Sequence, residues 1–362
     1  MEPIQKKIIS NLFFLFIFAL SAFASPFAQG MDWEKFASLP VQHEGRVKPL
    51  DTFARLFLFQ FSGKTNVKTS ESQLSASQWM AEVLFCEERA STHPIFLVDN
   101  PEVLDRLGMP YQKMRARYAY RDFAPHLPQL KKIVFSFREF ERSRLTIVEA
   151  QMARLYENLE QFRKLLDTFG FLKGTPPSSP EMEKIVGPSP CLVDYLKCIK
   201  ATEEKQTKDD ETNLLGRLKN ETLRFMNLRY SNLFACLPPE GHEKWKSPWE
   251  AFLQTASDGK SNAGLEILSS LYQSYEANRT GPASASFDPF FQWVVSRGAL
   301  DHDTISREVR YNEYDLFFKA LAAYLCSMLL CCVSWHGKAG KAYLFSIDRK
   351  STRLNSSHVS QY

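Results

Sequence analysis

The sequence predicts a mainly α chain with minor β: a mostly helical exported domain containing a long helical hairpin, followed by one transmembrane helix. Three observations predict it. An apolar run follows two lysines at the N-terminus, apolar residues recur four and three apart from Thr146 to Phe169, and a second apolar run with one charge spans Leu316 to Trp335.

Lys6 and Lys7 precede the stretch Ile8 to Phe23, which only Ser10, Asn11 and Ser21 interrupt, and Ala22-Phe23-Ala24 has the small-x-small pattern of a cleavage site. Residues 1–24 are therefore expected to be a signal peptide or N-terminal membrane anchor. The apolar stretch is slightly short of the roughly 20 residues that span a bilayer, which favours cleavage after Ala24. Residues 25–313 then form an extracytoplasmic, mostly helical domain.

Next comes Leu39-Pro40-Val41-Gln42-His43-Glu44-Gly45-Arg46-Val47-Lys48-Pro49-Leu50-Asp51-Thr52-Phe53-Ala54-Arg55, the densest stretch of turn chemistry and basic groups. Gly45 can supply a positive φ, Pro49 keeps Lys48 extended, and Asp51 or Thr52 can cap the following helix. Phe53, Leu56, Phe57 and Gln60 then fall at helical spacing. Two roles compete for the basic residues. They are solvated groups on a structural turn, or Arg46 and Lys48 hold an anion or a partner beside a helix start.

Ser75-Ala76-Ser77-Gln78 is a capping-box pattern ahead of Trp79, Val83 and Leu84. Pro94 to Val98 reads as a short strand, and Asn100-Pro101 opens a helix through Val103, Leu104 and Leu107 that Gly108 stops. Between Thr146 and Phe169 the seam Val148, Met152, Leu155, Leu159, Phe162, Leu166 and Phe169 marks a long helix, expected to pair with a partner between Leu192 and Phe234 of the same domain rather than in a dimer coiled coil. The segment Gly174 to Pro180, with Pro188 and Pro190, reads as the linker of that hairpin, and the charged run Glu203 to Glu211 as a solvated face or loop.

From Leu316 to Trp335 the one charge, Lys319, lies near an end where it can snorkel, so 314–336 is read as a transmembrane helix. Glu313 and Asp315 precede it while Lys338 and Lys341 follow. That asymmetry runs the helix from outside to inside and makes 337–347 the start of a cytoplasmic loop.

Over 362 residues the formal net charge is +4, and the leader and the last residues carry most of it. The exported part is close to neutral, which argues against a nucleic-acid partner. Cys326, Cys331 and Cys332 lie in the apolar run as small fillers, whereas Cys86, Cys191, Cys198 and Cys236 fall where disulfides are allowed, with three connectivities open. There is no C-x-x-C, nucleophile elbow, P-loop or dinucleotide fingerprint, and His43-Glu44 and His242-Glu243 lack a second histidine four residues on. Asp301-His302-Asp303 has ligand chemistry, but consecutive residues seldom face one metal. No catalytic residue and no metal ligand is assigned.

The run Leu39 to Arg55 resembles the segment that opens the exported domain of CcsA/ResC-type cytochrome c biogenesis proteins, the haem-delivery half of the system II synthase. Further similar blocks follow in order: Ser77-Gln78-Trp79 with Val83-Leu84-Phe85, Pro94 through Leu104, Trp249, and Tyr311-Asn312-Glu313 before the helix ending Ser334-Trp335. The resemblance implies a bacterial cytoplasmic membrane protein with a large periplasmic domain that helps attach haem to apocytochrome c. It implies haem as cofactor of the full-length protein, with a ResB-type subunit, apocytochrome c and membrane lipid as partners. In that family haem is handled by later membrane helices with a Trp-Trp-Asp core and histidine ligands, and none of these occurs here. Asp348 through His358 looks like translated sequencing adapter, so 348–362 is expected to be an artefact, and the frame to be a fragment, non-catalytic by itself, truncated near Ile347. The alternative is a membrane-anchored envelope scaffold or binding module without haem chemistry.

Overall fold

The described residues begin on a capped helix. The computed structural model describes residues 32–69, 73–137, 145–204, 209–239, 244–277, 287–298, 302–314 and 316–336. The leader, Asp301 and the stretch 337–362 lie outside the described residues.

Helix α1 (Trp33–Ala37) starts where the Asp32 carboxylate accepts the Lys35 amide. Strands β1 (Pro40–His43) and β2 (Arg46–Pro49) form an antiparallel hairpin with Pro40 opposite Pro49 and His43 opposite Arg46. Its turn, Glu44-Gly45, has φ of 53° and 76°, the pair of positive values that a two-residue type I′ connection requires. Gly45 meets that need without strain. Helix α2 (Leu50–Ser62) follows with Pro49 at the capping position and no side-chain cap. The expected cap by Asp51 or Thr52 is thus corrected: both sit inside the first turn, where their side chains turn to other elements.

After α2, strands β3 (Asn66–Lys68) and β4 (Gln73–Ser75) pair antiparallel. Helix α3 (Ala76–Phe85) has the predicted capping box, with Ser75 and Gln78 bonding reciprocally. A single turn, α4 (Glu87–Ala90), leads to β5 (Pro94–Val98), whose bounds match the sequence expectation. Asn100 accepts the Glu102 amide to start α5 (Pro101–Asp105), which ends before Leu107, and Gly108 takes a φ of 69° just beyond. Strand β6 (Ala116–Ala119) pairs antiparallel with β5, and Arg117 donates to the Ser62 carbonyl at the end of α2. Helix α6 (Tyr120–Phe123) and a 3₁₀ turn lead into α7 (Leu127–Ser136).

The long helix is α8 (Ile147–Leu166), held at its start by a Thr146–Glu149 capping box, and its seam is buried as the spacing predicts. Its partner differs from the expectation. Helix α8 packs on α7, α3, α5 and β5, while the helical hairpin is made by two later helices with each other. The physical reason is the aromatic surface presented by α2 and β5: Phe162 lies within 6.1 Å of Phe61 and 5.5 Å of Phe96, ring to ring. Each such pair contributes about 0.5–1.5 kcal/mol beyond area burial.

A 3₁₀ stretch (Asp167–Leu172) ends α8, and the proline-rich segment taken for a linker contains α9 (Pro180–Val186), capped by Ser179 with Pro180 at its first position. Helices α10 (Leu192–Glu204) and α11 (Asp209–Arg229) form the hairpin. They are followed by α12 (Pro248–Asp258), α13 (Ala263–Ala277), α14 (Asp288–Ser296), α15 (His302–Tyr314) and α16 (Leu316–His336). One contiguous core runs from Phe36 to Val294. Trp249, wholly buried, donates to the Asp167 carbonyl at 2.8 Å, and Asp167 in turn accepts from Arg229 at 2.7 Å and Arg163 at 3.3 Å. All seven cysteines are free thiols.

Helix α16 carries exposed Leu321, Tyr324, Leu325, Met328, Leu329 and Leu330. Among the described residues no single helix is long and apolar enough to cross a membrane, whereas parts of α15 and α16, bent by 40° at their junction, pass together.

Candidate functional site

In the hairpin, residues of one face alternate inward and outward along both strands, so Val41, His43, Arg46 and Lys48 share a face. Lys48 is only 7% exposed, and its Nζ lies 3.5 Å from His43 Nδ1. The His43 ring packs edge-on to Phe53 and Phe57 of α2, at centroid distances of 5.3 and 5.4 Å. Burial and the Lys48 ammonium push the His43 pKa below its ordinary value, against the pull of Glu44. A neutral ring can accept from Lys48; an imidazolium there would repel it.

Arg46 is used differently. Its guanidinium, 65% exposed, pairs with Glu308 of α15. The other Glu308 oxygen accepts from the Thr52 hydroxyl at 2.8 Å. One turn further along α15, Asn312 Nδ2 donates to the Thr52 oxygen at 2.9 Å and to Asp51 Oδ2 at 3.1 Å. Asp51, 3% exposed, also accepts from Arg55 Nε at 2.7 Å and Ser77 Oγ at 2.9 Å. A buried carboxylate with one cation and two neutral donors has its lone pairs engaged, as burial demands.

The same α15 face is completed by Ile305 and Val309, both buried, so positions 305, 308, 309 and 312 form an apolar and polar stripe at helical spacing. This stripe docks α15 on β2 and α2. Beyond it, burial and then the nearby Asp51 and Glu34 carboxylates raise the Glu313 pKa, with Arg55 opposing. The end of α15 therefore lies close to α1 and to the start of α2. Lys319, just into α16, stands 4.7 Å from the Tyr314 ring centroid.

The two predicted contact residues thus share a strand face and do not share a role. Arg46 meets a carboxylate supplied by the chain itself, and Lys48 is buried against His43. Spacing missed Asp51, Ser77, Glu308 and Asn312 as partners. For Asp51 and Ser77 the motif blocks held a signal, and for Glu308 the only signal was its place four residues before Asn312.

Two clefts lie elsewhere. The larger, about 520 Å³, is bounded by Leu84 to Arg89, Lys173, Arg229 and Tyr272. Its cations are engaged, Lys173 with Glu87 at 2.6 Å and Arg229 with Asp167, and burial raises the Cys86 thiol pKa, which favours the thiol over the thiolate. The smaller, about 240 Å³, lies between α2, β5 and α8. His43 is held against the α2 aromatics beside Lys48, and His93 is bonded to Glu82. Among the described residues no three His, Cys, Asp or Glu side chains converge as a metal site. Comparison with protein-family models, with curated proteins and with solved structures finds no match to this chain.

Proposed function

We propose that the chain is the exported part of a bacterial membrane protein of cytochrome c maturation, in which this domain serves haem attachment to apocytochrome c by holding partners rather than by chemistry of its own. The observation that carries the reading is the convergence on Asp51. Three blocks that resemble the CcsA/ResC-type proteins, Leu39 to Arg55, Ser77 to Trp79 and Tyr311 to Glu313, each contribute a side chain to one buried network. Blocks far apart in sequence are expected to recur together where they form one structural device.

The device ties α15, the helix ahead of the apolar helix, to β2 and α2. With α16 crossing the membrane and haem handled by further membrane helices of the full-length protein, the Asp51 network fixes the domain's orientation above that membrane region. A ResB-type subunit and apocytochrome c are the partners such a platform would hold, and Arg46, exposed at its edge, is one point of contact.

The test is complementation. A strain lacking the locus, supplied with the full-length gene, is expected to regain covalent haem in its c-type cytochromes, scored by haem-stained gels. Fusing alkaline phosphatase after Tyr314 and after His336 should give activity only at the first position. Normal cytochrome c in the deletion strain would refute the proposal, and activity at both fusion points would refute the span.

A further inference from the structure

Helix α15 has two opposite faces. Ile305, Glu308, Val309 and Asn312 meet the domain, and at about 100° per residue Arg307, Arg310, Tyr311 and Tyr314 fall on the other side. That outer face is exposed, Tyr311 at 49% and Tyr314 at 55%. Arg307 turns back on its own helix, donating to the Asp303 carbonyl and the Thr304 hydroxyl, both at 3.1 Å. Arg310, also exposed, makes no hydrogen bond or ion pair among the described residues.

Past Tyr314 the exposed surface changes character. Lys319, in the first turn of α16, sends its ammonium back to 4.7 Å from the Tyr314 ring centroid, toward α15 and away from the apolar run ahead. Beyond it Leu321, Leu325, Met328, Leu329 and Leu330 are exposed. Amphipathic rings and cations ahead of an apolar helix suit the boundary between water and hydrocarbon.

Dimensions agree with such a boundary. The 21 residues of α16 rise about 30 Å, the thickness of a hydrocarbon core. With α16 along the bilayer normal, the 40° bend inclines α15, so Arg310, about 6 Å along the helix from Tyr314, stands about 5 Å above it. A head-group layer is roughly 5–7 Å deep, which brings Arg310 level with lipid phosphates.

We propose that the last turn of α15 and the first turn of α16 bind the head groups of anionic phospholipids. Arg310 and Lys319 contact the phosphate, and the Tyr311 and Tyr314 rings sit between head group and acyl chain. The outer face carries Arg307, Arg310 and Lys319 against Asp303, with Glu313 on the flank toward Asp51 and Glu34. That excess of cations selects the anionic class, because a zwitterionic head group brings a cation of its own. The proposal rests on the reading that α16 crosses the membrane.

The test uses the full chain with p-benzoylphenylalanine in place of Tyr311, or of Leu325 as a mid-helix control, in vesicles of equimolar phosphatidylglycerol and phosphatidylcholine. After irradiation, lipid adducts are identified by mass spectrometry. Both positions are expected to give adducts, with phosphatidylglycerol favoured about fivefold at Tyr311. Arg310→Gln should abolish that preference and Arg310→Lys should keep it, a rescue that follows the charge. Adducts at Leu325 but none at Tyr311, equal yields of the two lipids at Tyr311, or a preference unchanged by Arg310→Gln would overturn the proposal and leave the span standing. Absence of adducts at Leu325 would overturn the span, and this proposal with it.

Discussion

Replacing Asp51 by Ala removes the shared acceptor of Arg55, Ser77 and Asn312 while leaving those three donors in place. Deleting one partner of a buried, hydrogen-bonded charge pair costs about 3–5 kcal/mol. Arg55 keeps 27% of its side chain exposed and can find water, so the lower end of that range, about 3 kcal/mol, is expected. Asp51→Asn retains an acceptor for Ser77 and loses the charge at Arg55, for which about 1–2 kcal/mol follows. The two variants therefore separate packing from charge.

Stability is measured by urea unfolding of the full chain in detergent, followed by tryptophan fluorescence. Because Asn312 ties α15 to this carboxylate, Asp51→Ala should also open α15 locally, seen as faster tryptic cleavage at the exposed Arg307 and Arg310. A double-mutant cycle with Asn312→Ala should give a coupling of about 0.5–3 kcal/mol, as expected for residues in one network. A loss under about 0.5 kcal/mol for Asp51→Ala, within the range of an ordinary surface change, would refute the buried-hub argument.

His43 has a folded-state pKa below its ordinary 6.5, so the unfolded chain takes up the proton first as pH falls. Stability should therefore be full above about pH 6.5 and decline below it until the folded-state pKa is passed, and His43→Gln should flatten that slope in thermal melts at pH 5 and pH 7.5. At Gly170 an added Cβ would stand 2.8 Å from the Arg229 carbonyl and 3.1 Å from the Trp249 ring, so Gly170→Ala should cost about 1–3 kcal/mol in the same urea assay. Asp167→Asn leaves Arg229, about a quarter exposed, without its anion, while Arg163 keeps Glu160 at 3.1 Å; a loss of about 2–3 kcal/mol is expected, with Trp249 fluorescence shifting little because its bond goes to the Asp167 carbonyl.

Local elements were legible where the signal is itself local. The Ser75 capping box arises from contacts within a few residues, while the strand Pro94–Val98 and the α8 seam show in the local residue pattern although distant elements cover them; all three occur as expected. The α8 partner was not legible, because a buried apolar seam states that something covers it and not what. Phe61, Phe96 and Trp79 supplied the better surface. Helix α9 was hidden by the prolines around it, although Ser179-Pro180 is an N-terminal signal in its own right.

For the site, the run Leu39 to Arg55 determined by itself the Glu44-Gly45 turn, the extended strand ahead of Pro49 and the helix behind it, because φ restrictions of Gly and Pro act residue by residue. Charge and composition likewise determined the neutral, mostly helical domain ahead of an apolar helix. Which anion Arg46 would meet was decided only in three dimensions. Glu308 stands 262 positions away and reaches the hairpin because Ile305 and Val309 bury the same face of α15. The tertiary structure also turned Asp51 from a helix cap into the hub of a buried network, since a carboxylate removed from water takes whatever donors the packed elements bring to it.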